Sequence, residues 1–123
     1  MKYLIVTFMF LMSSLSFAAE QHEFHVKNAG GLVEICGIAN GDAQYEKAMA
    51  FCHGYLVGSY QFYKATVNQE DRFICEPNPT PSLAEVVDGF VAWSKKYPQY
   101  LNDKAVDTLF RYLEEKYPCS KSK

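Results

Sequence analysis

The sequence predicts a small all-α protein, a bundle of about four helices stapled by disulfides. Three observations carry that expectation. Apolar residues recur at helical spacing from Leu32 almost to the end of the chain, and no alternating run of strand type interrupts them. Glycine and proline punctuate the runs at Gly37, Asn40-Gly41, Pro77, Pro79, Pro81, Pro98 and Pro118. Four cysteines, Cys36, Cys52, Cys75 and Cys119, all lie beyond a hydrophobic leader. An even cysteine count in a small exported chain reads as a disulfide framework.

The leader has the layout of a cleaved signal peptide. Met1 and Lys2 form a positive start, Tyr3 to Met12 are almost wholly apolar, and small residues follow. Ser16-Phe17-Ala18 places small residues where signal peptidase reads, so cleavage is expected after Ala18. The apolar stretch is short of the roughly 20 residues that span a bilayer. The expected organisation is therefore a signal peptide over 1–18 and one helical domain over 19–123, periplasmic, with no membrane attachment after cleavage. The formal net charge of −2 offers no basic stripe for phosphates, which argues against a nucleic-acid partner.

Taken in order, the elements are as follows. Glu20 to Lys27 reads as a polar arm. Leu32, Ile35, Cys36 and Ala39 make the stripe of a first helix, stopped by Gly37 and the Asn40-Gly41 turn. A second helix is expected from about Asp42 or Ala43 to about Val67. One of its faces carries Ala48, Cys52, Tyr55, Ser59 and Phe62, with Met49, Leu56, Tyr60 and Tyr63 beside it. So wide an apolar surface marks this helix as central. The prolines of Asn68 to Pro81 exclude a regular helix there. Thr80-Pro81 can start the third helix, and Ser82 with Glu85 offers a capping box one register later. Its core face is Leu83, Val86, Val87, Phe90, Ser94 and Tyr97. Asn102 or Asp103 should cap the fourth helix, whose stripe is Val106, Leu109, Phe110, Leu113 and Tyr117.

Few residues suggest chemistry. Gly54 and Gly58 sit one turn apart inside the second helix, and each costs about 1 kcal/mol relative to Ala. They are expected to let another helix pack closely, within the bundle or across a homodimer. His22 and His25 lie in the polar arm. Cleavage after Ala19 would put His22 third in the chain, a copper- or nickel-type arrangement, but that cleavage is disfavoured. His53 and Cys52 are neighbours on a helix, about 100° apart, and do not face each other. Glu114-Glu115 and Glu70-Asp71 read as solvated charges. There is no phosphate loop, nucleophile elbow or metal-ligand cluster. The expectation is a binder that is not an enzyme and takes no metal or cofactor.

The contexts of the cysteines resemble a known family. Cys52-His53-Gly54-Tyr55-Leu56-Val57-Gly58 fits a Cys-x-Gly-Tyr-x-x-Gly pattern. Cys36 precedes it, and Cys75-Glu76-Pro77, Lys96-Tyr97-Pro98 and Tyr117-Pro118-Cys119 follow in order. In this the chain is similar to the Rap/Tai immunity proteins of type VI secretion systems. The resemblance covers nearly all the chain beyond the leader. It departs from the family pattern in the proline-rich Asn78-Pro79-Thr80-Pro81 and in Lys104-Ala105-Val106-Asp107. The resemblance implies an HdeA-like fold and a periplasmic protein that obstructs the groove of an injected peptidoglycan amidase, in several members as a homodimer. The rival readings are an acid-stress chaperone of the same fold, an inhibitor of a host enzyme, and a small exported enzyme.

Three cysteine pairings are open from sequence. Helix topology favours Cys36–Cys52 with Cys75–Cys119, because the first two flank one turn and the last two fall at the same end of a helical hairpin. The turn of that hairpin, Lys95 to Asn102, is the expected partner-binding surface, through Tyr97, Gln99, Tyr100 and Leu101. Tyrosine is enriched at binding hot spots. Tyr100 and Leu101 either project as a binding tip or fold back as a lid over the bundle.

Overall fold

The computed structural model describes residues 24–120. The leader, both cleavage sites and His22 lie outside the described residues. Among the described residues there are four α-helices: α1 Ala29–Cys36, α2 Tyr45–Thr66, α3 Leu83–Lys96 and α4 Ala105–Lys116. Short 3₁₀ turns cover Gln69–Asp71 and Pro98–Tyr100. Among the described residues the only β-type pairing is an isolated antiparallel bridge between Ile74 and Pro118.

The centre is α1, although it is the shortest helix. It packs against each of the other three, and Ala29, Leu32, Ile35 and Cys36 are buried. Its N-terminus shows why so short a helix holds. The Asn28 side chain accepts from Gly31 N–H, while Ala29 and Gly30 N–H donate to the carbonyls of Asp103 and Leu101. Three otherwise orphaned donors are thereby satisfied inside the protein. A Cβ on Gly30 would sit 3.3 Å from the Leu101 oxygen, so glycine permits this approach. The helix ends at Cys36 with Gly37 as its cap, and Ala39 is exposed beyond it.

The wide apolar surface of α2 had marked it as central, and the structure corrects this. Ala48, Cys52, Leu56 and Tyr63 face the core, whereas Phe62 is 71% exposed. A helix apolar nearly all round does not fix its own rotation. The Cys36–Cys52 disulfide does, by tying one side of α2 to α1. The helix starts at Tyr45 because Asp42 first forms a turn, its carboxylate accepting from Gln44 N–H.

In α3 the Ser82–Glu85 capping box forms, and its hydrogen bonds hold the Glu85 carboxyl below the usual range. Val87, Phe90 and Ser94 are buried as expected. Gly89 has a specific role, because the Tyr112 hydroxyl of α4 occupies the space a Cβ would need. The α4 stripe is rotated by about one position from the expected one. Ala105, Thr108, Leu109, Tyr112 and Leu113 are buried, and Val106 is 38% exposed. Thr108 turns inward because its hydroxyl donates to the Tyr100 carbonyl at 3.1 Å. The helix starts after Lys104, not at Asn102 or Asp103, since the Asp103 carbonyl is committed to α1.

Two disulfides close the structure. Cys36–Cys52 and Cys75–Cys119 span 16 and 44 residues, the pairing that helix topology favours. By loop-closure entropy they are worth about 3 and 4 kcal/mol. Around the second, Cys75 N–H donates to the Tyr117 carbonyl and Cys119 N–H to the Phe73 carbonyl. Tyr63 anchors the same segment, its hydroxyl accepting from both Phe73 and Ile74 N–H.

Candidate functional site

The corner where α3 turns into α4 brings together the residues most suited to recognition. Tyr97 caps α3, and the Pro98–Tyr100 turn swings the chain back toward α4. The turn is fixed by its backbone: the Tyr100 carbonyl accepts from Asp103 N–H and the Thr108 hydroxyl, and Leu101 N–H donates to Pro98. Held this way, the Tyr100 ring stacks on Trp93 of α3, centroids 5.8 Å apart and planes 4° from parallel. Tyr97 tilts against the same indole at 4.7 Å. Arg111 of α4 places its guanidinium 4.9 Å from the centre of the Tyr100 ring. The Trp93 indole N–H donates to Glu115 at 3.0 Å. Glu114 completes the rim of a surface notch of about 290 Å³.

Of the residues expected to bind a partner, the structure gathers Tyr97 and Tyr100 in this notch. Gln99 is exposed beside it. Leu101 behaves as a lid, half-buried against Gly30 and bonded through its carbonyl to α1. Tyr100 is neither a free tip nor a full lid, being half-buried at the edge of the stack. The sequence does not single out Trp93 or Arg111, and it reads Glu114 and Glu115 only as solvated charges, which their exposure matches. The available signal was Trp93 four residues before Tyr97, which puts both rings on one side of a helix. Nothing local links either to Arg111, which is contributed by another helix.

A second concavity, of about 210 Å³, lies between α2 and the proline-rich loop. Leu56, Val57, Ile74, Pro81 and Leu113 give it almost wholly apolar walls. At its rim Lys64 pairs with Glu76 at 3.6 Å and lies 5.5 Å from the centre of the Tyr60 ring. Partial burial and the neighbouring Glu76 carboxylate push the Tyr60 phenol up to about 12.

Gly54 and Gly58 do not serve packing within the bundle, contrary to one expectation for them. Both are exposed, and a Cβ on either would meet nothing within 4 Å. They share the outer side of α2 with exposed Val57 and Phe62. Among the described residues no group of three or more His, Cys, Asp or Glu side chains is placed to hold a metal, and no helix is long and apolar enough to cross a membrane.

These features define a small helical domain, closed by two disulfides, with aromatic and charged side chains gathered at the corner between α3 and α4. Residues 28–119 match the family of Rap1a immunity proteins, and the chain belongs to that family. Membership implies an immunity protein directed against a secreted toxin. No curated protein and no solved structure matches the chain.

Proposed function

We propose that the protein is a periplasmic immunity protein that binds and blocks a peptidoglycan amidase delivered by a type VI secretion system, without turnover of its own. Family membership supports the immunity role. The two disulfides suit an oxidising compartment, and the leader over 1–18 suits export. The observation that carries the choice of surface is the Trp93–Tyr100–Arg111 stack. Tryptophan, tyrosine and arginine dominate interface hot spots, and here they are held rigidly at one corner, so little ordering entropy remains to be lost on binding. Tyr97 and Gln99 extend the same surface.

A homodimer is part of this proposal, through the outer side of α2. In an antiparallel pair of α2 helices centred on Gly58, Phe62 of one copy lies opposite Gly54 of the other. A bulky residue then meets a glycine twice over, as a two-fold interface requires.

The test uses the product of the neighbouring gene, purified and first assayed for peptidoglycan amidase activity. Purified protein should suppress its cleavage of peptidoglycan and cleave nothing alone. Tyr100→Ala should weaken the complex by about 2 kcal/mol, roughly 30-fold, without unfolding the bundle. Full affinity in both Tyr100→Ala and Trp93→Ala would remove this corner from the interface. Hydrolysis by the isolated chain, abolished by a point substitution, would refute the inhibitor reading.

A further inference from the structure

We infer that the Trp93 notch is a receptor for a single cationic side chain, arginine or lysine, which the toxin supplies in the complex; this rests on the toxin-binding reading above. The notch holds three charged groups, Arg111, Glu114 and Glu115, for a formal charge of +1 − 2 = −1. On a helix, Arg111 is spaced to pair with either carboxylate. It pairs with neither, lying instead over the Tyr100 ring. Glu115 is held by the Trp93 indole N–H, a bond that fixes its position and leaves its charge. Glu114 has no hydrogen-bond or ion-pair partner among the described residues. The two carboxylates thus stand beside the aromatic rings with Arg111 as the single positive charge lining the notch, bonded to neither of them.

That combination selects for a cation. Aromatic faces attract positive charge, tryptophan most strongly, and a carboxylate at the rim adds a charge-assisted hydrogen bond. The stack already demonstrates the first of these attractions in the Arg111–Tyr100 contact. The volume corresponds to about ten waters, room for one long side chain with some water retained. A partner carboxylate would face Glu114 and Glu115 together, with one arginine to offset them. Arg111 in this arrangement is a like charge that the incoming cation must tolerate, which gives the inference an unusual signature.

The full-length processed protein can be titrated with N-acetyl-arginine amide, with N-acetyl-glutamate amide as the control. Trp93 is the only tryptophan in the chain, so its fluorescence and indole N–H resonance report on the notch alone. The arginine probe should give a saturable shift in the millimolar range, and the glutamate probe none. Glu114→Gln should weaken the arginine probe about fivefold, as for a partly exposed charge pair. Arg111→Gln should strengthen it. Both positions are exposed, and circular dichroism should show that both variants keep their helix content. No saturable shift with the arginine probe, or a shift with the glutamate probe that Arg111→Gln abolishes, overturns the inference. Arginine binding to the notch together with full amidase inhibition by Trp93→Ala would instead refute the assignment of this corner to the toxin.

Discussion

Tyr63→Phe removes one oxygen atom and should destabilise the protein well beyond the cost of one ordinary hydrogen bond. The Tyr63 hydroxyl accepts from two backbone donors, Phe73 N–H at 2.8 Å and Ile74 N–H at 3.1 Å. Ile74 is buried, and the Tyr63 ring packs edge-on against Phe73 and Phe110, contacts that phenylalanine keeps. The substitution therefore isolates the acceptor. An orphaned buried donor costs about 1–3 kcal/mol, so two of them, one only partly buried, come to about 3 kcal/mol. The segment cannot easily swing into water to recover the loss. It is tied on its far side by the Cys75–Cys119 disulfide and by backbone bonds to Tyr117 and Cys119. With a denaturant slope of about 1.5 kcal/mol/M, the urea midpoint should fall by about 2 M. Trp93 fluorescence follows the transition, and hydrogen exchange at Phe73 and Ile74 should accelerate. A loss below about 1 kcal/mol, or unchanged protection of those two amides, would refute the reasoning, since that is within the net value of a single ordinary bond.

Four further outcomes follow from particular contacts. Gly89→Ala should cost about 1–3 kcal/mol by displacing the Tyr112 ring, whereas Gly54→Ala should stabilise the monomer by about 1 kcal/mol; thermal melts at low protein concentration check both. Gly58→Leu should abolish dimerisation in sedimentation equilibrium while keeping helix content, and an unchanged association constant would refute the α2 pairing. The Tyr60 phenol is raised from its ordinary 10.0 to about 12, so its contribution to stability is complete below pH 10 and is lost as pH rises toward 12; Tyr60→Phe should flatten that part of the pH–stability curve.

The sequence by itself determined the helical class, the breaks between helices and the capping of α3. These are local properties: a 3.6-residue apolar period, prolines that cannot continue a helix, and a serine three residues before a glutamate. It also limited the cysteine frame, since Cys36 and Cys52 flank one interhelical turn while Cys75 precedes α3 and Cys119 follows α4, which leaves few pairings once the helices lie antiparallel. Tertiary structure alone decided the rotation of α2 and α4. Phe62 and Val106 fit the apolar pattern as well as Leu56 and Thr108 do, and only the Cys36–Cys52 bridge and the Thr108–Tyr100 hydrogen bond choose between them. The corner between α3 and α4 divides the same way. The place of Tyr97 and Tyr100 at a proline-stopped turn was legible, although both rings are half-buried. Arg111, Glu114 and Glu115 were not, because a charge on one helix acquires its meaning from the ring that another helix places beside it, and no local pattern encodes that distance.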